Sequence, residues 1–525
     1  MNELNVSFIV PLLVMLPLLA SAVTLAAGRH TTVQRVISTA VVAACLVGSV
    51  VLLWAADTDG PQVVPTAAWI PYEGIVLVVD RLSALMLIVG FTVILGVLWY
   101  SNGEGRESFD QEAGGKAPLP IFHPSLLVLA AGVATTFVSG DLFHMYVGFE
   151  VLLGASFVLL TLGGTASRVR AGVTYTFVSL LSSTVFLFAV AMVYTATGTV
   201  NLAQVAERMG DLPQGTQVLL QSLLLVGFAV KAAVFPMSSW LPDSYPTAPA
   251  PVTAVFAGLL TKVGVYAMIR TQTLIFPGGI LQDLLLWAAL LTMVVGILGA
   301  VAQTEVKRMI SFTLVSHIGY MLFGLAIGTA AGIAAAIFYV IHHILIQATL
   351  FLVTGMVQRR TGVSTLDRLG GLIRTAPWLA VLWFIPAMNL AGIPPFSGFI
   401  GKVGLMRAAA QIGTEMMWVL IVGSVVTSVL TLYAIAKTWA KSFWGAESKE
   451  EGMGQRAERI GPGLFVPTGT MVLLGVGLTV FAGPIYGISE RAAGDLVNRH
   501  SYLTAVSDAA DAMAENYPEP KGGDH

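Results

Sequence analysis

The chain contains 525 residues, of which 56% are hydrophobic and only 11% are charged. Soluble domains carry about 25% charged residues, so this chain has too little polar surface to cover the several soluble domains that its length would otherwise predict. The net charge of −2 excludes a basic face for nucleic acid, and the single cysteine, Cys45, excludes an internal disulfide. The composition therefore predicts an integral membrane protein.

Fourteen apolar stretches have the length and composition of membrane-crossing helices, which need about 20 apolar residues. In chain order, and numbered here as spans 1 to 14, they cover 4–28, 33–55, 75–100, 124–139, 142–163, 170–196, 216–237, 249–271, 281–303, 308–328, 333–357, 376–411, 416–442 and 464–488. Span 12 is too long for one simple helix and contains Pro394-Pro395, which predicts a broken helix. The sequence therefore predicts an all-α polytopic membrane protein with 14 transmembrane helices.

The spans divide the chain into four segments. These are 1–123 with spans 1–3, 124–271 and 281–442 with five spans each, and 443–525 with a loop, span 14 and a tail. The tail is predicted to be partly helical and then disordered over 517–525. No polar stretch is long enough to form a soluble domain.

Lysine and arginine are concentrated in the loops that follow odd-numbered spans, with few in the other loops and the tail. Cytoplasmic loops carry such an excess, so the odd loops are predicted to be cytoplasmic and both termini external, in the cell membrane. No Lys or Arg precedes the first apolar run, which argues against a cleaved signal peptide.

Ionisable side chains well inside the spans are the candidates for function, because a charge at mid-membrane costs at least about 2.5–3.5 kcal/mol. They are Glu150 in span 5, Lys231 in span 7, Lys262 in span 8, His317 in span 10, His342 and His343 in span 11, and Lys402 beyond the break in span 12. Structural alternatives exist, since Lys231 can snorkel to the interface and a buried histidine is often a satisfied core residue. His343 is favoured over His342 because it shares a helix face with Tyr339 and Gln347.

Other charged residues are predicted to be structural. Asp80-Arg81 opens span 3 as a solvated cap pair, Asp141 caps span 5, and Arg407 snorkels from span 12. Asp243 has two open interpretations, a turn residue or a residue at a proton-uptake site on the cytoplasmic side.

An internal repeat is predicted from the order of the spans. Within spans 4–8 and spans 9–13, the fourth span is interrupted by proline, at Pro236 and at Pro394-Pro395, and has a lysine within seven residues of the break. Five spans are an odd number, so the two sets cross the membrane in opposite senses. This is typical of inverted-repeat transporters, whose discontinuous helices, here spans 7 and 12, mark the mid-membrane site.

Three motifs carry a resemblance to a known family. WLPDSYPTAPAPVTAVFAGLLTKVGVYAMIR (240–270), KRMISFTLVSHIGY (307–320) and LAGIPPFSGFIGK (390–402) resemble the antiporter-like membrane subunits shared by respiratory complex I and the multisubunit Mrp cation/proton antiporters. The resemblance extends over about 75–445. Ser244-Tyr245 and Lys402 make the chain most similar to the D-type subunits of the Mrp branch.

The resemblance implies a proton relay across the middle of the membrane. Glu150 would pair with Lys231, Lys262 would be the central group, His317 and His343 would continue the line, and Lys402 would be the terminal group. Gln347 departs from the pattern, because some relatives have a lysine there, and its presence leaves more of the path to ordered water.

The resemblance also implies a secondary transporter subunit, not an enzyme, without cofactor or metal ion. Its expected partners are protons, Na⁺ as the exchanged cation, other membrane subunits of an Mrp-type complex and the lipid bilayer, but no nucleic acid. Two alternatives stay open, a proton-pumping membrane subunit of complex I and a stand-alone solute permease. A sparse row of Lys, His and Glu favours protons over an organic solute.

Overall fold

A computed structural model describes residues 6–66, 69, 71–104, 121–446 and 460–516. The α-helices are α1 Ile9–Ala26, α2 Thr31–Thr58, α3 Arg81–Glu104, α4 Phe122–Val138, α5 Leu142–Leu160, α6 Ala166–Thr197, α7 Leu202–Met209, α8 Gln214–Ala232, α9 Trp240–Ser244, α10 Ala250–Val255, α11 Thr261–Leu274, α12 Gln282–Ala302, α13 Val306–Ile327, α14 Ala330–Thr361, α15 Leu372–Thr375, α16 Pro377–Ala391, α17 Ser397–Ile412, α18 Glu415–Trp439, α19 Pro462–Val480, α20 Ala482–Asn498 and α21 His500–Asn516. Short 3₁₀ turns lie at Val6–Phe8, Tyr245–Thr247 and Leu366–Arg368, and π-helical turns at Phe256–Leu260 and Ala440–Trp444.

Twelve helical segments of the described chain are long and apolar enough to cross a membrane, which makes the protein a multi-pass membrane protein. Two shorter apolar helices, Phe122–Val138 and Pro377–Ala391, fall within the predicted spans 4 and 12. The loop stretches around 105–120 and 447–459 and the predicted disordered tail end lie outside the described residues.

The centre of the helix bundle consists of three segments whose apolar windows are almost entirely enclosed. Ala250–Leu274 and Ala330–Thr361 are 100% buried and Val306–Ile327 is 94% buried, whereas Thr31–Thr58 at the periphery is only 28% buried. Close backbone approach permits this packing, since a Cβ added at Gly264 of α11 would lie 2.9 Å from the Ala232 backbone nitrogen. Polar side chains on the central helices are therefore shielded from lipid by other helices.

A two-stranded sheet corrects the all-α prediction. Strand β1, Gln62–Pro65, pairs antiparallel with β2, Val76–Val79, with Gln62 opposite Val79. The prediction that span 3 starts at 75 is wrong, because α3 begins at Arg81. A short apolar run rich in β-branched valine satisfies the composition of a buried helix and of a buried strand equally, so composition alone did not separate them.

Asp80 and Arg81 are not a solvated pair, which is a second correction. Asp80 is 4% exposed and accepts hydrogen bonds from Arg270 at 2.6 and 2.8 Å. Arg81 donates to Asp57 at 2.7 Å and also binds Asp495. Asp80 still caps the helix, by accepting from the Ser83 backbone N–H at 2.9 Å. The C-terminal helices cover this end of α3 and leave Asp80 buried, while Arg81 keeps 17% of its side chain exposed.

The end of the chain is a third correction. Predicted span 14 continued to 488, but α19 ends at Val480 and α20 starts at Ala482 in a new direction. Helix α20 packs against α14, with the rings of Tyr486 and Phe338 5.3 Å apart, and its Arg491 binds Asp57 at 2.9 Å. We call the end of the bundle covered by α20 and α21 the C-terminal face.

Two helices end where proline predicted an interruption. Helix α8 ends at Ala232, before residue 237 where span 7 was predicted to end, and Ala233 adopts a left-handed conformation with φ 57°. Helix α16 ends at Ala391, and Gly392 has φ 80°. Helical structure resumes at α9 and at α17. Elsewhere, the predicted cap at Asp141 is confirmed, since its carboxylate accepts from the His144 N–H at 2.6 Å.

Candidate functional site

Helices α13 and α14 bring together two of the predicted histidines. His317 and His343 are both fully buried, and their ring centroids lie 5.1 Å apart. Tyr339, one turn before His343, places its hydroxyl 3.0 Å from His317 Nδ1. The Tyr339 phenol and the His317 imidazole can exchange a proton through this hydrogen bond, whereas neither ring nitrogen of His343 has a hydrogen-bond partner among the described residues. This cluster is the middle of the candidate site.

Lys262 lies on α11 next to the π-helical turn Phe256–Leu260. Its ammonium donates a hydrogen bond of 2.5 Å to the Ala257 carbonyl within that turn. A π-helical turn interrupts the regular i→i−4 ladder and leaves a carbonyl available for such a bond. Lys262 is 0% exposed, and His317 and His343 are among its electrostatic neighbours.

Lys402 lies on α17, just beyond the break in predicted span 12. Its ammonium donates to the Ala391 carbonyl at 3.0 Å, and it stands 4.9 Å from the centroid of the Tyr320 ring. Ala391 is the last residue of α16, so the cation sits at the negative end of that helix dipole. The break therefore provides a polar backbone end that holds the buried cation.

His342 connects the histidine cluster to the break. Its Nδ1 lies 3.0 Å from the Ser397 hydroxyl, and its ring lies 5.4 Å from that of Tyr339. Ser397 in turn donates to Asn389 at 3.2 Å, and the Asn389 side chain also accepts from the Gly398 N–H at 3.0 Å. Lys402 is an electrostatic neighbour of His342.

Sequence reasoning missed several of these residues. The sequence pattern favoured His343 over His342 because His343 follows Tyr339 by four residues. His342 follows Tyr339 by three residues, and this spacing also places two side chains on the same side of a helix. Tyr320 follows His317 by three residues and is fully buried, which was a usable signal. Asn389 and Ser397 flank the predicted break, and a buried amide and hydroxyl beside free backbone groups would have suggested a polar junction.

Gln347 makes a structural contact between two helices. Its amide nitrogen donates to the Ile310 carbonyl of α13 at 2.9 Å. The side chain is fully buried and links α14 to α13. It occupies the helix position next to His343 without bringing a titrating group to it.

Glu150 and Lys231 lie at the other end of the site, on α5 and α8. They are electrostatic neighbours, yet Lys231 Nζ and Glu150 Oε1 have no hydrogen-bond partner among the described residues. The ammonium instead stands 5.9 Å from the Phe149 ring and 6.0 Å from the Tyr175 ring. Lys231 is 3% exposed, so it does not snorkel to the surface. The two groups approach each other without a direct ion pair.

Asp243 lies apart from these residues, on α9. It accepts a hydrogen bond of 2.8 Å from Arg308, and the side chains are 60% and 43% exposed. Exposed ion pairs of this kind contribute about 0–1 kcal/mol. The contact is compatible with both open interpretations of Asp243.

A helical membrane bundle with discontinuous helices and a buried row of Lys, His and Tyr defines the class of antiporter-like membrane subunits. The family described as "NADH:quinone oxidoreductase/Mrp antiporter, TM" matches residues 139–431. The chain belongs to this family, and the resemblance seen in its motifs is confirmed.

Individual relatives cover nearly the whole chain. It is 37% identical to the D-type subunit of the Na⁺/H⁺ antiporter of Alkalihalophilus pseudofirmus, over 96% of this chain and 99% of that protein. The corresponding D-type subunit of the Na⁺/H⁺ antiporter of Bacillus subtilis is 34% identical over the same shares. A chain of the Mrp complex from Dietzia sp. superposes with a TM-score of 0.86 at 31% identity, over 96% of this chain and 99% of that one.

Proposed function

We propose that this chain is the D-type subunit of a multisubunit Na⁺/H⁺ antiporter and that it carries protons along the buried row. Two relatives more than 30% identical bear that name over almost their full length. The observation that carries the proposal is the row itself, in which Lys262 and the histidine cluster lie on the enclosed helices α11, α13 and α14 and are followed by the buried Lys402 on α17. A complex I subunit is the alternative within the same family, and the names of these relatives favour the antiporter.

The transmembrane arrangement is part of the proposal. Fourteen spans result if α4 and the α16–α17 pair each cross the membrane, with both termini external. Spans 4–8 and 9–13 then form inverted repeats. Support comes from their breaks, because Val234 N–H binds Ala229 O at 2.9 Å after α8 and Ile393 N–H binds Met388 O at 3.3 Å after α16. Both helices end in the same left-handed turn.

The proposed mechanism uses Glu150 to control the charge on Lys231. A buried ammonium is costly, and a nearby carboxylate offsets that cost by Coulomb attraction. When Glu150 moves away, Lys231 would release its proton toward Lys262. From there the proton would pass through His343, His317 and Tyr339, with ordered water where contacts are lacking, to His342 and Lys402.

The test replaces Glu150, Lys231, Lys262 and Lys402 singly by alanine in the assembled complex. Each variant should lose Na⁺-dependent proton exchange in vesicles by about 100-fold or more, the range typical for removal of a proton-transferring group. Lys441→Ala is the matched control, since this exposed lysine binds Asp367 at 2.6 Å away from the row. Co-purifying subunits, identified by mass, verify assembly.

Each outcome has a definite meaning. Full exchange in an assembled variant removes that residue from the row. Co-purifying flavin or iron–sulfur subunits would establish the complex I alternative. A chain that purifies alone and still transports a solute would establish the permease.

A further inference from the structure

A second buried charged group lies on the same face of α11 as Lys262. Tyr266 and Arg270 follow Lys262 at intervals of four residues, so the three side chains point along one side of the helix. Eight residues correspond to about 12 Å of rise. Arg270 therefore lies about 12 Å along the helix from Lys262, in contact with Tyr502 of the C-terminal face.

The hydroxyl of Tyr266 is held by three contacts, and its partner Ser83 is itself bound by Arg270 Nη2 at 3.1 Å and by the Asp80 carboxylate. It donates to the Phe137 carbonyl at 2.9 Å and lies 3.0 Å from the Ser83 hydroxyl. Arg270 Nη2 donates to it at 3.3 Å. A proton arriving from Lys262 thus meets a phenol whose own proton is held by a backbone carbonyl.

Beyond Tyr266 stands the ion pair of Arg270 with Asp80. The guanidinium is 2% exposed and binds both carboxylate oxygens, at 2.6 and 2.8 Å. Nη2 reaches back to Tyr266 and to Ser83, so the cation contacts the same hydroxyls that connect Tyr266 to Asp80. A guanidinium has only donors and does not release its proton, so it interrupts a proton chain and repels a positive charge.

The C-terminal helices hold this pair in place. The Tyr502 ring lies 5.2 Å from the guanidinium carbon, and Arg499 donates to the Leu274 carbonyl at the end of α11 at 3.1 Å. The cavity between these residues and Asp495 has a volume of about 10 Å³, comparable to one water molecule. The C-terminal face therefore leaves room for about one water molecule next to Arg270.

A larger cavity of about 540 Å³ lies on the same face between α17 and α20, lined by Ile400, Gly404, Arg407, Tyr486 and Glu490. Lys402 is 3% exposed and points to the other side of α17, so it does not line this cavity. The C-terminal face, which is external in the proposed orientation, is thus packed more tightly over α11 than over α17.

We propose that the Asp80–Arg270 pair, with Tyr266 beneath it and Tyr502 above it, is an electrostatic seal that stops protons from leaving Lys262 toward the outside. The inference rests on the proposed function, since a seal matters only if Lys262 carries protons. It gives the C-terminal helices a role in coupling, because they keep the guanidinium fixed over the relay.

The experiment measures passive proton leak in vesicles that contain the assembled complex, without Na⁺. The double variant Asp80→Asn/Arg270→Gln removes both charges. It should raise the rate of proton leak by about tenfold, because a small reduction of the electrostatic barrier to proton movement is enough for a tenfold change in rate. Asp80→Leu/Arg270→Met is the second neutral pair, since apolar replacement of a buried ion pair is often tolerated. Asp367→Asn/Lys441→Gln is the control for an exposed pair and should leave the leak unchanged.

Arg270→Lys separates a seal from a packing role. It keeps a positive charge that repels an incoming proton, although an ammonium can release its proton, so the leak should stay well below that of the neutral pair, whereas a packing role predicts a leak as large as that of the neutral pair. An assembled neutral pair with unchanged leak would overturn the seal, as would a leak of equal size in Arg270→Lys. Lys262→Ala tests the proposed function separately: exchange retained in that variant refutes the relay, and adding Lys262→Ala to the neutral pair should abolish the extra leak.

Discussion

The two ends of the buried row are built differently. From the histidine cluster to Lys402, several groups hold hydrogen bonds, Tyr339 with His317, His342 with Ser397, and Lys402 with the end of α16, although neither ring nitrogen of His343 has a partner among the described residues. Between Glu150 and Lys231 no hydrogen bond exists. A contacting row suits transfer, whereas a separated pair suits control, because a small movement of either partner changes their Coulomb energy strongly at short range.

The charges of the two regions differ as well. Helices α11, α13, α14 and α17 contain no Asp or Glu. The positive charge that a Lys or His on them acquires when protonated is therefore not balanced by a carboxylate on the same helices. Like charges in a shared low-dielectric space disfavour one another. We infer that the contacting region holds few protons at a time, and that the carboxylate at the other end decides when one is supplied.

The largest expected effect comes from replacing Lys262 by arginine. The variant keeps a positive charge on α11, but a guanidinium does not release its proton, so Na⁺-dependent exchange should fall by about 100-fold or more. Lys441→Arg is the control on an exposed lysine. Exchange near the wild-type rate in assembled Lys262→Arg would show that this position acts only as a fixed charge, and would remove the distinction between the two regions.

Much of this arrangement was predictable from the sequence. Buried ionisable residues stand out in apolar helices because of their cost, and Pro236 and Pro394 located the breaks. The pairing of Asp80 with Arg270 was not predictable, since the two residues are 190 positions apart and their contact depends on how α3 packs against α11. The strand Val76–Val79 was missed for a local reason, because valine runs satisfy both strand and helix.

A smaller effect is expected for Tyr339→Phe. The change removes the hydroxyl that contacts His317 Nδ1 at 3.0 Å and keeps the ring. A hydrogen bond of this kind contributes about 0.5–1.5 kcal/mol, so exchange should fall by roughly threefold to tenfold. The rate of Na⁺-driven pH change in vesicles measures it. Tyr194→Phe is the control, since that tyrosine is 57% exposed on α6. A loss as large as that of Lys262→Arg would mean that the phenol itself carries the proton, and an unchanged rate would take Tyr339 out of the contacting region.

The smallest effect on transport is expected for Asp141→Asn. Asp141 caps α5, the helix that contains Glu150, and lies just outside its membrane-spanning part. Burial raises the pKa of the Asp141 carboxyl from its ordinary value of 3.8 to about 6, although hydrogen bonds from the His144 and Phe143 N–H groups oppose the rise. Because the folded pKa is the higher one, the carboxyl contributes stability below about pH 4 and this is lost as the pH rises through 6.

Asparagine also caps helices and stays neutral, so the variant should gain stability relative to the wild type between about pH 5 and pH 8, by at most about 3 kcal/mol. The melting temperature of the purified complex at the two pH values measures this gain, and exchange should stay within about twofold of wild type, well below one tenfold step in the barrier. If Asp141→Asn instead lost exchange as Glu150→Ala is expected to, the response of Glu150 variants would reflect damage to α5 as a whole, and the control function of that end of the row would have to be abandoned.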